Sequence, residues 1–246
     1  GGTGKTTTAI NLSGEISQKG YKVLLIDNDP QSNITKTFNI QNKYTLYDLY
    51  YNKQVTFEDC IVKLKDNISI IPNIIQSADL DDELQNRGNR ENILKHKLDT
   101  LETEFDFIII DNNPYKSVLL KNALTVSDYY LEVIDNSLDA IEGLKMIERT
   151  IKDLKEDRLN DKIKSIGILR SRYDKVTSFS KEFSEVVKLT YKEKLFDAIV
   201  YDSVKYKEAR AMKKFIQEYS KEHATVYAKM FDEILGRLNI EIKFKV

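Results

Sequence analysis

The sequence predicts an α/β protein built on a doubly wound, mostly parallel sheet with helices on both faces. Three observations carry this. A glycine-rich phosphate loop, Gly1-Gly2-Thr3-Gly4-Lys5-Thr6-Thr7, runs directly into a segment of helical periodicity. Two apolar runs, residues 23–26 and 105–110, each end on an aspartate, Asp27 and Asp111. Beyond them, short apolar runs alternate with longer amphipathic segments, the pattern of a parallel sheet covered on both faces.

Along the chain, residues 5–19 read as a helix with Ala9, Ile10, Leu12 and Ile16 on its apolar face and Gly20 as its stop. Residues 23–26 form a buried strand. The polar, tyrosine-rich stretch 31–67 holds helical segments over 46–51 and 57–64. Residues 68–71 form a strand stopped by Pro72, and 91–101 a helix with Ile93, Leu94, Leu98 and Leu101 on one face. Strands follow at 105–110, 129–134, 163–169 and 195–200. Helices follow at 138–154, 178–190, 204–218 and 221–237. No Pro/Gly/Ser-rich linker divides the chain and no repeat is visible, so residues 1–246 read as one domain. A phosphate loop normally follows a buried strand. None precedes Gly1, so the reading expects a domain truncated at its N-terminus, its first strand missing.

Composition narrows the classes. The 246 residues are 41% hydrophobic and 31% charged, as in a soluble globular domain. Thirty-eight basic and 39 acidic residues leave a net charge of −1, so any nucleic-acid surface must be local. One cysteine, Cys60, excludes a disulfide framework within the chain, and His96 and His223 form no metal-ligand pattern. No apolar run approaches the roughly 18–20 residues of a membrane span, and no signal peptide is visible; the cytoplasm is the expected compartment.

The phosphate loop is the most specific motif. Small residues let successive backbone N–H groups face phosphate oxygens, and the following helix adds its dipole. Lys5 would reach the β- and γ-phosphates, the Thr6 hydroxyl would ligate Mg²⁺, and Thr7 would bond the α-phosphate. Asp27-Asn28-Asp29-Pro30-Gln31 places two carboxylates at i, i+2 past a strand end, where they can face one metal and one water. A plain strand cap is the competing reading. Asp111 has the form of a Walker B aspartate that holds a Mg²⁺-bound water.

Together these motifs resemble the ParA/MinD family of deviant Walker ATPases over nearly the whole chain. Gly1 to Thr7 match that family's Lys-Gly-Gly-x-Gly-Lys-Thr-Thr except for its first lysine. The resemblance implies that this lysine crosses a dimer interface to the partner's nucleotide. Residues 23–33 look like the second family motif, in which Asp29 positions the attacking water and Asp27 supports the magnesium site. Further matches are Ile70-Ile71-Pro72, Arg90-Glu91, Ile141-Glu142-Gly143-Leu144, Gly167-Ile168-Leu169, Tyr173-Asp174 and Glu208-Ala209. These favour ParA over its cousins. Three stretches depart from the pattern: Asn112-Asn113-Pro114, Val133-Ile134-Asp135-Asn136, and Val200-Tyr201 where the family shows an Ile-Pro contact to adenine.

The resemblance implies an ATPase with ATP and Mg²⁺ as cofactors and ATP closing a sandwich homodimer. It further implies non-specific duplex DNA binding, a ParB-like adaptor that stimulates hydrolysis, and a nucleoid-associated cytoplasmic location. A reductase of the nitrogenase-iron-protein type would need two cysteines. A MinD-like membrane ATPase should end in a basic amphipathic helix, whereas residues 239–246 alternate apolar and charged residues as a strand does. A cargo-positioning ATPase that does not bind DNA remains the alternative. Charge asymmetry favours DNA: residues 162–214 hold fourteen basic and seven acidic residues. Arg170, Arg172, Lys205, Lys207, Arg210, Lys213 and Lys214 are its candidate contacts.

Overall fold

The structure is a computed structural model and describes residues 2–174 and 177–240. Its strands are β1 (Val23–Asp27), β2 (Val62–Lys65), β3 (Ile68–Ile71), β4 (Phe107–Asp111), β5 (Tyr129–Ile134), β6 (Lys164–Tyr173) and β7 (Leu195–Tyr201). Helices α1 (Lys5–Gln18), α2 (Asn33–Phe38), α3 (Leu46–Tyr51), α4 (Phe57–Cys60), α5 (Leu80–Glu83) and α6 (Ile93–Leu98) occupy the first half. Helices α7 (Val118–Val126), α8 (Leu138–Glu156), α9 (Ser178–Tyr191), α10 (Val204–Ala211), α11 (Ile216–Tyr219) and α12 (Lys221–Leu238) complete it.

The strands form two sheets, one in the order β2-β3-β1-β4 and one in the order β5-β6-β7. All pairs are parallel except β2 with β3. β1 is inaccessible along its whole length, which is why it reads as an unbroken apolar run. Its side chains alternate between faces. Leu24 and Ile26 pack with α3 and α7 residues, while Val23 packs with α1 and α12 and Leu25 with α1 and α2. Helices therefore cover both faces, as predicted. Among the described residues β4 pairs only with β1 and β5 only with β6. Ile108 and Tyr129 on these edges are exposed.

Several predicted elements are corrected. The helix expected over 57–64 ends at Cys60, and Val-Lys-Leu-Lys then forms β2, half-buried and exposed in alternation. That period of two is the strand signal a helical reading overrode. The helix expected over 91–101 is a 3₁₀ turn, Arg90–Asn92, followed by α6. The helix expected over 204–218 breaks into α10 and α11, because Lys213 turns left-handed (φ 54°) and Phe215 inserts into the core. The strand-like tail expected over 239–246 lies, from residue 241 on, outside the described residues.

Candidate functional site

The phosphate loop bends through backbone angles that side chains disfavour: Gly2 has φ 107° and Gly4 φ 93°. Gly4 is also pressed against β6, where an added Cβ would stand 2.3 Å from the Ser171 hydroxyl oxygen. Gly4 caps α1 without any side-chain hydrogen bond. The first-turn N–H groups of α1 are thus left for an anion, the ordinary use of a helix N-terminus after a glycine loop. The Lys5 ammonium donates to the Thr3 hydroxyl at 3.0 Å. Burial lowers its pKa, and Asp111, Asp29 and Asp135 nearby oppose that shift. Thr7, in the first turn of α1, accepts the Asn11 amide on its carbonyl. Gly1, expected in the loop, lies outside the described residues.

The register of β1 against β4 sets Asp27 directly opposite Asp111. Both carboxylates are buried, at 0% and 3% exposure. One Asp27 oxygen accepts the Thr35 backbone N–H at 2.8 Å and the Thr35 hydroxyl at 2.6 Å. Its other oxygen and one oxygen of Asp111 have no hydrogen-bond partner. The Thr6 hydroxyl stands near Asp111 and favours its charged form. Burial pushes Asp27 up to about 6 and Asp111 up to about 7, with Asp29 adding repulsion to each. Two buried acids with an unpartnered oxygen each, beside a hydroxyl, form a donor set for a hard divalent cation. No cage of three or more His, Cys, Asp or Glu exists among the described residues. That suits Mg²⁺, which keeps waters and shares phosphate oxygens rather than filling an all-protein cage.

Asp29 follows on the loop that leaves β1. Its carboxylate accepts the Gln31 N–H at 2.9 Å, and its carbonyl accepts the Ser32 N–H and the Asn73 amide. Between the two aspartates, Asn28 donates to the Asn112 side chain at 2.6 Å and to the Leu119 carbonyl at 3.0 Å. This ties the Asp29 loop to the loop after Asp111. Asn28 stands in the second motif without an assigned role, and Thr35 and Asn73 stand in none. For Asn28 and Asn112 a signal existed, since 112–113 departs from the family pattern. Thr35 and Asn73 carry no sequence signal, because only the fold brings them to Asp27 and Asp29. A cavity of about 450 Å³ at the N-terminal ends of β5, β6 and β7 contains none of these residues.

The basic residues scatter. Arg170 is 8% exposed and donates to the Ser184 hydroxyl and the Phe196 carbonyl, so it is withdrawn from any DNA surface. Arg172 bonds the Gly2 carbonyl and pairs with Asp202, which places it at the phosphate loop instead. Lys205 pairs with Glu208 and lies over the Tyr219 ring. Arg210 donates to the Thr37 hydroxyl at 3.2 Å. Lys207, Lys213 and Lys214 are exposed on α10 and the turn after it.

A family model described as an AAA domain matches residues 1–165. The chain is 32% identical over 212 residues to the sporulation initiation inhibitor protein Soj of Bacillus subtilis, covering 85% of this chain and 83% of that one. It is 29% identical over 244 residues to the chromosome partitioning protein ParA of Caulobacter vibrioides, covering 96% and 91%. A crystal structure of a putative plasmid partition protein from Borrelia burgdorferi bound to AMPPNP superposes with a TM-score of 0.83. That pair is 26% identical and covers 96% of this chain and 95% of the other. With its glycine loop, its two register-matched aspartates and this likeness over nearly its full length, the chain belongs to the ParA/Soj family of P-loop partition ATPases.

Proposed function

We propose that the protein hydrolyses Mg-ATP to ADP and phosphate to segregate plasmid or chromosomal DNA. ATP closes a sandwich homodimer that binds duplex DNA without sequence preference, and a ParB-like adaptor stimulates release. The carrying observation is the β1–β4 register, which sets Asp27 against Asp111 beside Thr6 and Lys5. Thr6, Asp27 and Asp111 would hold Mg²⁺, which neutralises phosphate charge. The loop N–H groups from Gly2 to Thr7 and the Lys5 ammonium hold the phosphates and stabilise charge as the terminal phosphoryl group departs. Asp29 orients the attacking water, whose oxygen bonds to the γ-phosphorus as the bond to the ADP oxygen breaks.

Lys207, Lys213 and Lys214, with Lys205 beside them, form the DNA surface in this reading. The protein acts in the cytoplasm at the nucleoid; no described helix is long and apolar enough to cross a membrane. The loss of Arg170 and Arg172 from the basic surface is the observation that favours the alternative, a cargo-positioning ATPase that does not bind DNA. Asp29→Ala tests the mechanism. It should keep ATP binding, lose turnover and trap the dimer. Equal loss of binding and turnover would make Asp29 a metal or structural residue. ATP-dependent gel shift of random duplexes separates the two readings of cargo.

A further inference from the structure

The strand ends divide the site into two sides. Asp27, Asp29 and Asp111, with the water and metal chemistry, stand at the ends of β1 and β4. A nucleotide held at the loop with its terminal phosphate toward these acids must run its nucleoside the other way. That way lie the ends of β6 and β7, where ligands of open α/β sheets characteristically sit. Tyr173 and Tyr201 pair there, and the Asp202 N–H donates to the Tyr173 carbonyl at 3.0 Å.

Arg172 occupies this corner in an unusual way. Its backbone is left-handed, with φ 55°. Its guanidinium is held from two directions, by the Gly2 carbonyl and by Asp202 at 3.3 Å. Its stem runs along the loop, with Cγ 3.5 Å from where a Gly4 side chain would begin. The side chain is still 46% exposed. A guanidinium held by two fixed partners and still half exposed can offer its flat plate to a ligand, and flat cations stack on aromatic rings.

We propose that Arg172 is the platform on which the nucleotide base lies, a binding residue of the ATP site rather than a DNA contact. The assignment rests on the reading of this site as an ATP site. It also supplies a base contact where Tyr201 replaces the expected proline.

Competition binding on the full chain with ADP, ATP and inorganic tripolyphosphate tests it. Arg172→Ala should weaken ADP and ATP alike, by about tenfold, or ~1.4 kcal/mol. Tripolyphosphate, which has no base, should bind as it does to the parent. Arg172→Lys keeps the charge without the flat plate and should stay weakened toward both nucleotides. A parallel loss of tripolyphosphate would show that Arg172 only shapes the loop and would overturn the proposal. So would unchanged nucleotide binding together with a DNA salt slope shallower by about 0.9, the mark of one lost phosphate contact. If the parent binds tripolyphosphate but neither nucleotide, the ATP-site reading fails, and this proposal with it.

Discussion

Asp111→Asn should stabilise the ligand-free protein at pH 8, and by less than half as much at pH 5. Burial raises the Asp111 pKa in the fold to about 7 from 3.8. A carboxyl whose folded pKa is raised contributes stability below its unfolded pKa and loses it as pH rises through the folded pKa. The window therefore runs from about pH 4 to pH 7. Three pKa units at ~1.4 kcal/mol each give about 4 kcal/mol as an upper figure, which asparagine would not forfeit. For a chain of this size about 2–4 °C accompanies each kcal/mol, so the gap in melting temperature reaches about 8–16 °C at most. Thermal melts of parent and variant across pH 5–9 measure it directly. The same melts with ADP and Mg²⁺ should invert the order at pH 8, because the parent regains a counter-charge that the variant cannot use. A gap between parent and variant that is identical at pH 5 and pH 8 would refute the buried-charge argument.

Two further perturbations test the frame around the site. Glu132 is pushed up to about 7 by burial, with Glu148 adding to the shift and Ser165 and Lys194 opposing it. By the same sign rule Glu132→Gln should raise the melting temperature more at pH 8 than at pH 5; a pH-independent effect would make burial the wrong cause. At Gly14 on α1 an added Cβ would stand 2.9 Å from both the Phe215 ring and the Gln217 side chain. Gly14→Val should therefore cost about 1–3 kcal/mol in chemical denaturation despite leaving a poor helix former, and a neutral result would mean that α11 yields freely.

Legibility in the sequence followed the physics of each signal. β1 and the glycine loop were readable because their constraints are local: a strand buried on both faces must be apolar throughout, and the loop needs its glycines where φ is positive. The pairing of Asp27 with Asp111 was readable only as two similar strand ends; their register is a property of the sheet. Thr35 and Asn73 were invisible because they reach Asp27 and Asp29 across the fold. The basic residues misled for a related reason. Charge counted along the chain treats Arg170 and Lys213 alike, although one is folded into the second sheet and the other faces water. The β2 strand was missed because four residues of alternation are outweighed by a neighbouring helical pattern.

Arg210 shows what the surviving basic surface is attached to. It sits on α10 among exposed lysines, yet its guanidinium Nε donates to Thr37 of α2, a residue 8% exposed. Helix α2 follows Asp29, and its Thr35 is the one that holds Asp27. The far end of the basic turn is gripped from α1, the helix that starts at the phosphate loop. There the Ile216 N–H donates to Asn11 at 2.8 Å and Gln217 donates to the Asn11 carbonyl at 2.8 Å. These bonds connect both nucleotide segments to the helix and turn that carry Lys207, Lys213 and Lys214. In the DNA-binding reading Arg210 would then act by holding α10 in place rather than by touching phosphate. Arg210→Ala should weaken ATP-dependent duplex binding while leaving the log–log salt slope at its parental value. Lys213→Ala with Lys214→Ala should make the slope shallower by up to about 1.8, at about 0.9 for each lost contact. Thr37→Val and Arg210→Ala should be non-additive in a double-mutant cycle, as expected of directly bonded partners. A slope that becomes shallower by about 0.9 in Arg210→Ala, with additive energies in the cycle, would put its guanidinium on the DNA and remove the link to α2.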